Sequence, residues 1–309
     1  MSELQFFTGK DAMQYLADWL EQENDDIHYR AWLVAKPKAW LLIAHGLAEH
    51  SERYERFAQY FNQQNINVLA WDHIGHGEHC EQLGHLDGPF TQMSERIQFI
   101  LELRESIAPN LKTFLLGHSM GSYIALDYCI RNNPSIDGLI LSGSGYNTKP
   151  MILAATLINK TLCKIKGKTA KSEFFDELTF SAFNKPFKPN RSAFDWLSSK
   201  TEEVDLYLQD PLCGFIPTNG MWSGLLSCLS SLDNQVQNHH FHFPILLQQG
   251  EFCCNAHLKG GVDRLKTSLS KQNNQFESLT YPNARHEIFN DVSAQDAMSD
   301  LFNWIGNQL

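Results

Sequence analysis

Apolar residues cluster along this chain in short runs of four or five positions, and amphipathic stretches of helical length separate these runs. Apolar runs of this length are typical of strands that are buried on both faces of a parallel sheet. Between the first two runs, Tyr54, Phe57 and Phe61 form one apolar face of a helix. The alternation therefore predicts a mostly parallel sheet with helices on both faces. The predicted strands lie at residues 41–44, 66–70, 113–116, 139–142 and 245–248.

The alternation of strand and helix patterns stops between residues 147 and 238. This stretch is rich in Lys, Phe and Ser, contains several prolines and has no convincing strand pattern. Strand and helix patterns then resume, and residues 294–309 close the chain as a helix. We therefore expect an α/β core formed by residues 1–146 and 239–309, with residues 147–238 inserted as a helical cap above the carboxyl edge of the sheet.

The third predicted strand leads directly into Gly117-His118-Ser119-Met120-Gly121, and residues 122–131 then have the pattern of a helix. The two glycines remove the side chains that would clash where a strand turns sharply into a helix. Such a turn holds its central serine in a strained conformation, with the hydroxyl exposed above the sheet. Ser119 is therefore the predicted nucleophile.

Composition restricts the possible partners and the location. The formal net charge of −10 argues against nucleic acid as a partner, because nucleic-acid binding needs basic surface. Seven cysteines without framework spacing indicate reduced thiols and a cytoplasmic location, and charged residues near the N-terminus argue against a secretory signal. His73, His76, His79 and His85 lie in a Gly-rich turn, where imidazoles can pin loops by hydrogen bonding. We expect no metal and no cofactor.

Charge is distributed unevenly along the chain. Residues 147–200 carry ten Lys or Arg against four acidic residues, a net charge of +6, whereas the remainder of the chain carries −16. Two interpretations stay open for this basic segment. It is either the solvated outer surface of a cap, or a surface for peripheral contact with anionic membrane headgroups.

A serine hydroxyl needs a base within hydrogen-bonding reach. His286 follows the last strand-like run, residues 278–281, and so lies in a loop at the carboxyl edge of the sheet. In hydrolases with a G-x-S-x-G turn, the nucleophile, the acid and the histidine follow one another in this order, so His286 is the predicted base. The backbone N–H groups of Leu47, after the first predicted strand, and Met120, directly after Ser119, are the predicted oxyanion donors.

Longer motifs surround these candidate residues and occur in a characteristic order. They are H-G-x-x-E-H-x-x-R-Y at residues 45–54, D-H-x-G-H-G at residues 72–77, G-H-S-M-G at residues 117–121, D-W-L-S at residues 195–198, D-P-L-C-G-F at residues 210–215 and R-H-E at residues 285–287. From about Ile27 to the C-terminus, the chain resembles the lysophospholipase and monoacylglycerol lipase group of α/β-hydrolases, also described as serine aminopeptidase-like hydrolases. The resemblance implies an α/β-hydrolase fold and an ester hydrolase.

One position departs from this family's pattern. The family places its catalytic Asp three residues after the glycine that ends the penultimate core strand, and here that glycine is Gly250 and that position is Cys253. Glu251 could reach His286 with its longer side chain, or Cys253 could take the place of the acid in a weakened esterase. Loss of the acid's charge alone can lower turnover about 10⁴-fold. A disulfide between Cys253 and Cys254 would be strained and is not expected.

The sequence therefore predicts a serine carboxylic-ester hydrolase that acts on single-acyl lipids, such as lysophospholipid or monoacylglycerol. An acyl-enzyme route through Ser119 needs no cofactor. The alternative is a catalytically weakened or inactive hydrolase fold that binds lipid or a partner, because the usual acid position is Cys253.

Overall fold

The computed structural model describes residues 27–254 and 260–309. Seven strands form one sheet in the order β1-β3-β2-β4-β5-β6-β7. The strands are β1 (Tyr29–Trp32), β2 (Ala39–Ala44), β3 (Ile66–Trp71), β4 (Lys112–His118), β5 (Gly138–Ser142), β6 (Ile245–Gly250) and β7 (Phe276–Tyr281). All neighbours pair in parallel except β1, which pairs antiparallel with β3 at the edge. The predicted mostly parallel sheet is confirmed, and β1 is an addition to it.

Eight longer helices connect or follow these strands in the described residues. They are α1 (Glu55–Gln63), α2 (Thr91–Ile107), α3 (Met120–Asn132), α4 (Lys149–Lys166), α5 (Thr201–Gln209), α6 (Asn219–Gln237), α7 (Gly261–Ser270) and α8 (Ala294–Gly306). Short helical turns lie at Ser51–Tyr54, Glu173–Asp176, Glu177–Ser181, Ala182–Asn184, Lys185–Phe187 and Ile288–Asn290. None of these helices combines the length and the apolar character needed to cross a membrane.

Helices cover both faces of the sheet, as the alternation predicted. On one face, Phe61 of α1 and Trp304 of α8 pack with Phe114 of β4. On the other face, Ile97 of α2 and Ile124 of α3 pack in a second, larger apolar cluster. Strands β2, β3, β5 and β6 are buried at every position, which is why their sequences are nearly continuous apolar runs rather than alternating ones.

The chain between the end of β5 and the start of β6, residues 143–244, is called the insert below. It contains α4, α5, α6 and four of the short helical turns, and its one strand-like contact is an isolated bridge between Lys171 and Thr218. Helix α6 packs against α4 and against α3 of the core. The insert follows the carboxyl end of β5 and thus lies beside the strand ends that carry the predicted nucleophile and base.

Candidate active site

Ser119 lies in a strained turn between β4 and α3. Its φ of 51° and ψ of −115° are outside the regions that residues with a side chain ordinarily adopt. Gly121 makes this turn possible, because a Cβ there would lie 2.0 Å from the backbone oxygen of Ala44 at the end of β2. The Ser119 N–H donates to the oxygen of Ser142 at 2.9 Å, which ties the turn to β5. The sequence-predicted nucleophile is therefore held by three neighbouring strands.

His286 lies in the loop after β7, and the insert holds its backbone. The His286 N–H donates to the oxygen of Trp196 at 3.4 Å, and the next N–H, of Glu287, donates to Leu197 at 2.8 Å. Burial and then the nearby His118, whose ring centre is 4.8 Å away, lower the pKa of His286 from 6.5 to about 3. The imidazole is therefore neutral at physiological pH, which is the state that a general base requires.

The sulfur of Cys253 occupies the position beside His286 that a triad acid would take. Cys253 Sγ lies 3.1 Å from His286 Nδ1, and the cysteine is fully buried. The reason is a tight turn after β6, in which the Cys253 N–H donates to the oxygen of Gly250 at 3.0 Å. This turn directs residue 253, rather than its neighbours, toward the histidine loop.

The structure does not bring the side chain of Glu251, the candidate acid, to His286. Its side chain is exposed, and one carboxylate oxygen accepts from the backbone N–H of Asn283 at 3.0 Å. The Glu251 N–H donates to Tyr281 at the end of β7, so the residue lies along the outer edge of the loop. The length of the glutamate side chain does not bring its carboxylate to His286, because the side chain extends to the exposed side of the turn, toward Asn283.

The two predicted oxyanion donors lie where the sequence placed them. Leu47 follows β2, Met120 begins α3, and both residues line the same pocket as Ser119 and His286. Within residues 27–254 and 260–309, neither backbone N–H has a hydrogen-bond acceptor. Both amides are thus available to a ligand oxygen in this pocket.

A buried ion network supports the loop that carries Leu47. Arg53 donates to Glu49 at 2.8 Å and makes two hydrogen bonds of 2.7 Å to Glu287. Burial raises the pKa of Glu287, but the charge and hydrogen bonds of Arg53 outweigh burial and lower it to about 2. Tyr207 of the insert places its ring 4.8 Å from the Arg53 guanidinium. The motif that contains Glu49 and Arg53 does not by itself predict this network, and the spacing of four residues between them is the signal that the sequence offers.

Histidines of the two Gly-rich loops bind backbone groups. His45 Nε2 accepts from the His73 N–H at 3.1 Å, and His73 Nε2 lies 3.1 Å from the His45 oxygen. His76 contacts the oxygen of Ile74 at 3.0 Å and accepts from the Ala48 N–H at 3.3 Å. These imidazoles hold the loops after β2 and β3 together. In the described residues, the side chains with metal-ligand spacing are His50, Asp210 and Cys213, of which His50 and Asp210 form a 2.7 Å contact joining the core to the insert.

Ser119 and His286 open on a small pocket between the core and the insert. Its volume is about 90 Å³, whereas a pocket that encloses a drug-sized ligand usually has about 300–1,000 Å³. The walls are largely apolar and aromatic. They include Phe180, Phe183, Trp196, Trp222, Leu225 and Leu229, all from the insert. The pocket can therefore hold an ester group and a few carbons, and its wall chemistry suits an acyl chain.

Comparisons with known proteins agree with this fold. A sequence profile of the family described as "Serine aminopeptidase, S33" matches residues 35–293. The chain is 26% identical over 293 residues to "Monoacylglycerol lipase" of Mycolicibacterium smegmatis, covering 92% of this chain and 94% of that protein. It is also 26% identical over 283 residues to "Monoglyceride lipase" of Rattus norvegicus, covering 88% and 84% of the two chains.

Among solved structures, a thermostable carboxyl esterase from Bacillus coagulans in complex with glycerol superposes with a TM-score of 0.84. That match has 23% identity and covers 92% of this chain and 94% of the esterase, so it shows the fold. The α/β-hydrolase resemblance expected from the motifs is confirmed.

Proposed function

The chain belongs to the serine aminopeptidase S33 family of α/β-hydrolases, and from this membership we propose that it is a serine carboxylic-ester hydrolase. Ser119 attacks the ester carbonyl and forms an acyl-enzyme, which water then hydrolyses. His286 accepts the serine proton and passes it to the leaving alcohol. The N–H groups of Leu47 and Met120 stabilise the oxyanion. One observation carries this proposal: all four groups line one pocket.

The proposed substrates are single-acyl lipids, namely monoacylglycerol or lysophospholipid. The apolar wall of the pocket supports an acyl chain, and the names of the bacterial and rat relatives support a monoglyceride ester. Residues 147–238 act as a helical cap in this proposal. The pocket as it stands is smaller than a long acyl chain. The acyl chain therefore reaches its full binding site only when the cap moves away from Ser119.

We propose that the outer face of α4 makes peripheral contact with an anionic membrane surface. Leu153 is 72% exposed and Leu157 is 67% exposed, and Lys160 and Lys164 follow on the same helix. Exposed apolar side chains beside lysines suit the boundary between headgroups and acyl chains. A cytoplasmic location is proposed as well, because none of the seven cysteines, all of which lie in the described residues, forms a disulfide.

The test is hydrolysis of mono-oleoylglycerol and of a lysophosphatidylcholine, together with covalent labelling by a fluorophosphonate probe. Ser119→Ala should abolish both turnover and labelling. Ser230→Ala, in an exposed turn of α6, is the matched control and should retain both. Labelling that survives in Ser119→Ala would place the nucleophile elsewhere. A wild-type protein that binds lysolipid tightly but neither hydrolyses nor labels would favour the non-catalytic alternative.

A further inference from the structure

Cys253 is the side chain in hydrogen-bonding contact with Nδ1 of His286. A neutral imidazole has one N–H, and the partner of Nδ1 selects which ring nitrogen bears it. In a carboxylate triad the acid only accepts, so Nδ1 is protonated and Nε2 is free to take the serine proton. A cysteine differs, because its neutral thiol is both a weak donor and a weak acceptor, whereas its thiolate can only accept.

A protonated thiol that donates to Nδ1 puts His286 in the wrong state for catalysis. When the Cys253 S–H donates to Nδ1 across the 3.1 Å contact, the imidazole proton lies on Nε2. Nε2 then cannot accept the proton of Ser119. Removal of the acid's charge from a carboxylate triad has this same consequence, and it lowers turnover about 10⁴-fold.

Loss of one proton from the pair restores the productive state. The Nε2 proton leaves to water, the thiol proton passes to Nδ1, and Cys253 becomes a thiolate that accepts from Nδ1–H. The starting and final states differ by one proton, so the cysteine and the histidine titrate as a unit rather than as separate groups. A free thiol ionises near a pH of about 8.5, above the ordinary range of a catalytic histidine.

Among residues 27–254 and 260–309, two titratable groups act on the His286 ring. His118 at the end of β4 lies beside the ring. Glu287 follows His286, and its negative charge is balanced by Arg53, which donates two hydrogen bonds to it. The insert contributes the uncharged Trp196, whose ring centre is 5.1 Å from that of His286. Cys253 itself packs against Val262 at the start of α7. In the part of the chain that the structure describes, no carboxylate forms a hydrogen bond with the His286 ring.

We infer that Cys253 is the third member of a Ser–His–Cys triad, a positioning residue whose protonation selects the tautomer of His286 and thereby switches the hydrolase on as the pH rises. This inference rests on the proposed function and adds the identity of the group behind the base. It explains how a site with a complete nucleophile and oxyanion arrangement can dispense with the family's aspartate.

The first test is the pH profile of kcat/KM for a short-chain glycerol ester between about pH 6 and about pH 10. Turnover is measured as release of the carboxylic acid product. Wild-type activity should rise about tenfold per pH unit over the lower part of this range, because one proton controls the active fraction. Cys253→Asp should raise activity at neutral pH by about tenfold or more and remove the rise, since a carboxylate is already ionised. Cys253→Ala should be low at every pH.

Glu251→Gln is the matched control, because it removes a charge from the same turn while keeping an oxygen for the Asn283 N–H. Its profile should follow the wild type within about twofold, the range expected where a charge touches no reacting group. A wild-type profile that is flat, or that matches Cys253→Ala, would overturn the inference while leaving the hydrolase proposal intact. Absence of turnover and of fluorophosphonate labelling in all four proteins would instead overturn the proposed function.

The second test reads the tautomer directly and does not depend on activity. The ¹⁵N shifts of the His286 ring in Ser119→Ala should show the proton on Nε2 at neutral pH and on Nδ1 in alkaline solution. In the double variant Ser119→Ala, Cys253→Asp, the proton should lie on Nδ1 at both values. A merely structural cysteine would leave the tautomer unchanged with pH, and that result would refute the assignment.

Discussion

The core and the insert use their apolar residues differently. In the core, strands β2, β3, β5 and β6 have no exposed position, so their apolar side chains are all packed in the interior. In the insert, α4 leaves Leu153, Leu157 and Ile165 exposed by 67–74%. Core packing therefore fixes the positions of the reacting groups, whereas the insert leaves apolar side chains exposed at its surface.

Gly121→Ala tests most directly whether packing in the core fixes the position of Ser119. The added Cβ would lie 2.0 Å from the Ala44 oxygen, and backbone on both sides prevents easy relief. Overpacking of this kind costs roughly 1–3 kcal/mol of the free energy of unfolding. A shift of the Ser119 turn by about 1 Å would also lower kcat/KM about a hundredfold. Chemical denaturation and ester turnover measure the two effects.

Gly306→Ala is the matched control for that substitution. Gly306 ends α8, and a Cβ there meets nothing within 4 Å. The variant should retain full activity and be neutral or slightly more stable, because Ala is the better helix former. Equal behaviour of the two alanine variants would show that the contact between Gly121 and β2 does not hold the nucleophile.

At the joint between core and insert, the expected effect is on stability rather than on turnover. Glu287→Gln removes the buried carboxylate from Arg53, and breaking such a pair costs about 3–5 kcal/mol of the free energy of unfolding. Because the folded-state pKa is lowered from 4.5 to about 2, the carboxylate's contribution is present above pH 4.5 and is lost as the pH falls toward 2. The difference in unfolding free energy between the wild type and Glu287→Gln should shrink over this window.

Glu52→Gln is the control for the joint, since Glu52 pairs with Arg30 at 2.9 Å on the exposed surface. It should change the free energy of unfolding by about 0.5 kcal/mol or less, as exposed pairs do. If both glutamine variants lose the same stability, the buried network is no more important than a surface pair.

The smallest effect concerns the outer face of the insert. Leu157→Glu should weaken sedimentation with anionic vesicles at low salt, and Lys160→Glu should weaken it by about fivefold, corresponding to about 1 kcal/mol per lysine. Leu206→Glu is the matched control, because Leu206 is 57% exposed but lies on α5. Equal binding to anionic and zwitterionic vesicles, or no binding at low salt, would remove the membrane contact from the proposal.

The predictions on the nucleophile side of the site depend on local patterns. Apolar runs located the strands, and two glycines around Ser119 defined a turn whose geometry depends on few neighbours. Leu47 and Met120 followed from their places next to strand ends. Strand β1 was not predicted, because Tyr29–Trp32 has only four residues at an edge and its pairing with β3 depends on residues about forty positions away.

The acid side could not be read from the sequence for a different reason. Glu251 and Cys253 lie on the same turn, and the hydrogen bond from the Cys253 N–H to Gly250 decides which side chain faces His286. The sequence left both residues open, Glu251 because it is a carboxylate and Cys253 because it stands at the family's acid position. The Arg53–Glu287 pair joins positions 234 residues apart, so only the folded chain brings them together.

The two hydrogen bonds between the histidine loop and the insert link substrate entry to readiness for reaction. The His286 and Glu287 amides donate to Trp196 and Leu197, so a displacement of the insert that widens the pocket also withdraws the support of the base. If the insert moves as proposed to admit lipid, the opened protein is a poor catalyst, and it regains the support of its base when the insert returns over the bound ester. The rates at which these two amide protons exchange with solvent would measure how often each hydrogen bond to the insert opens.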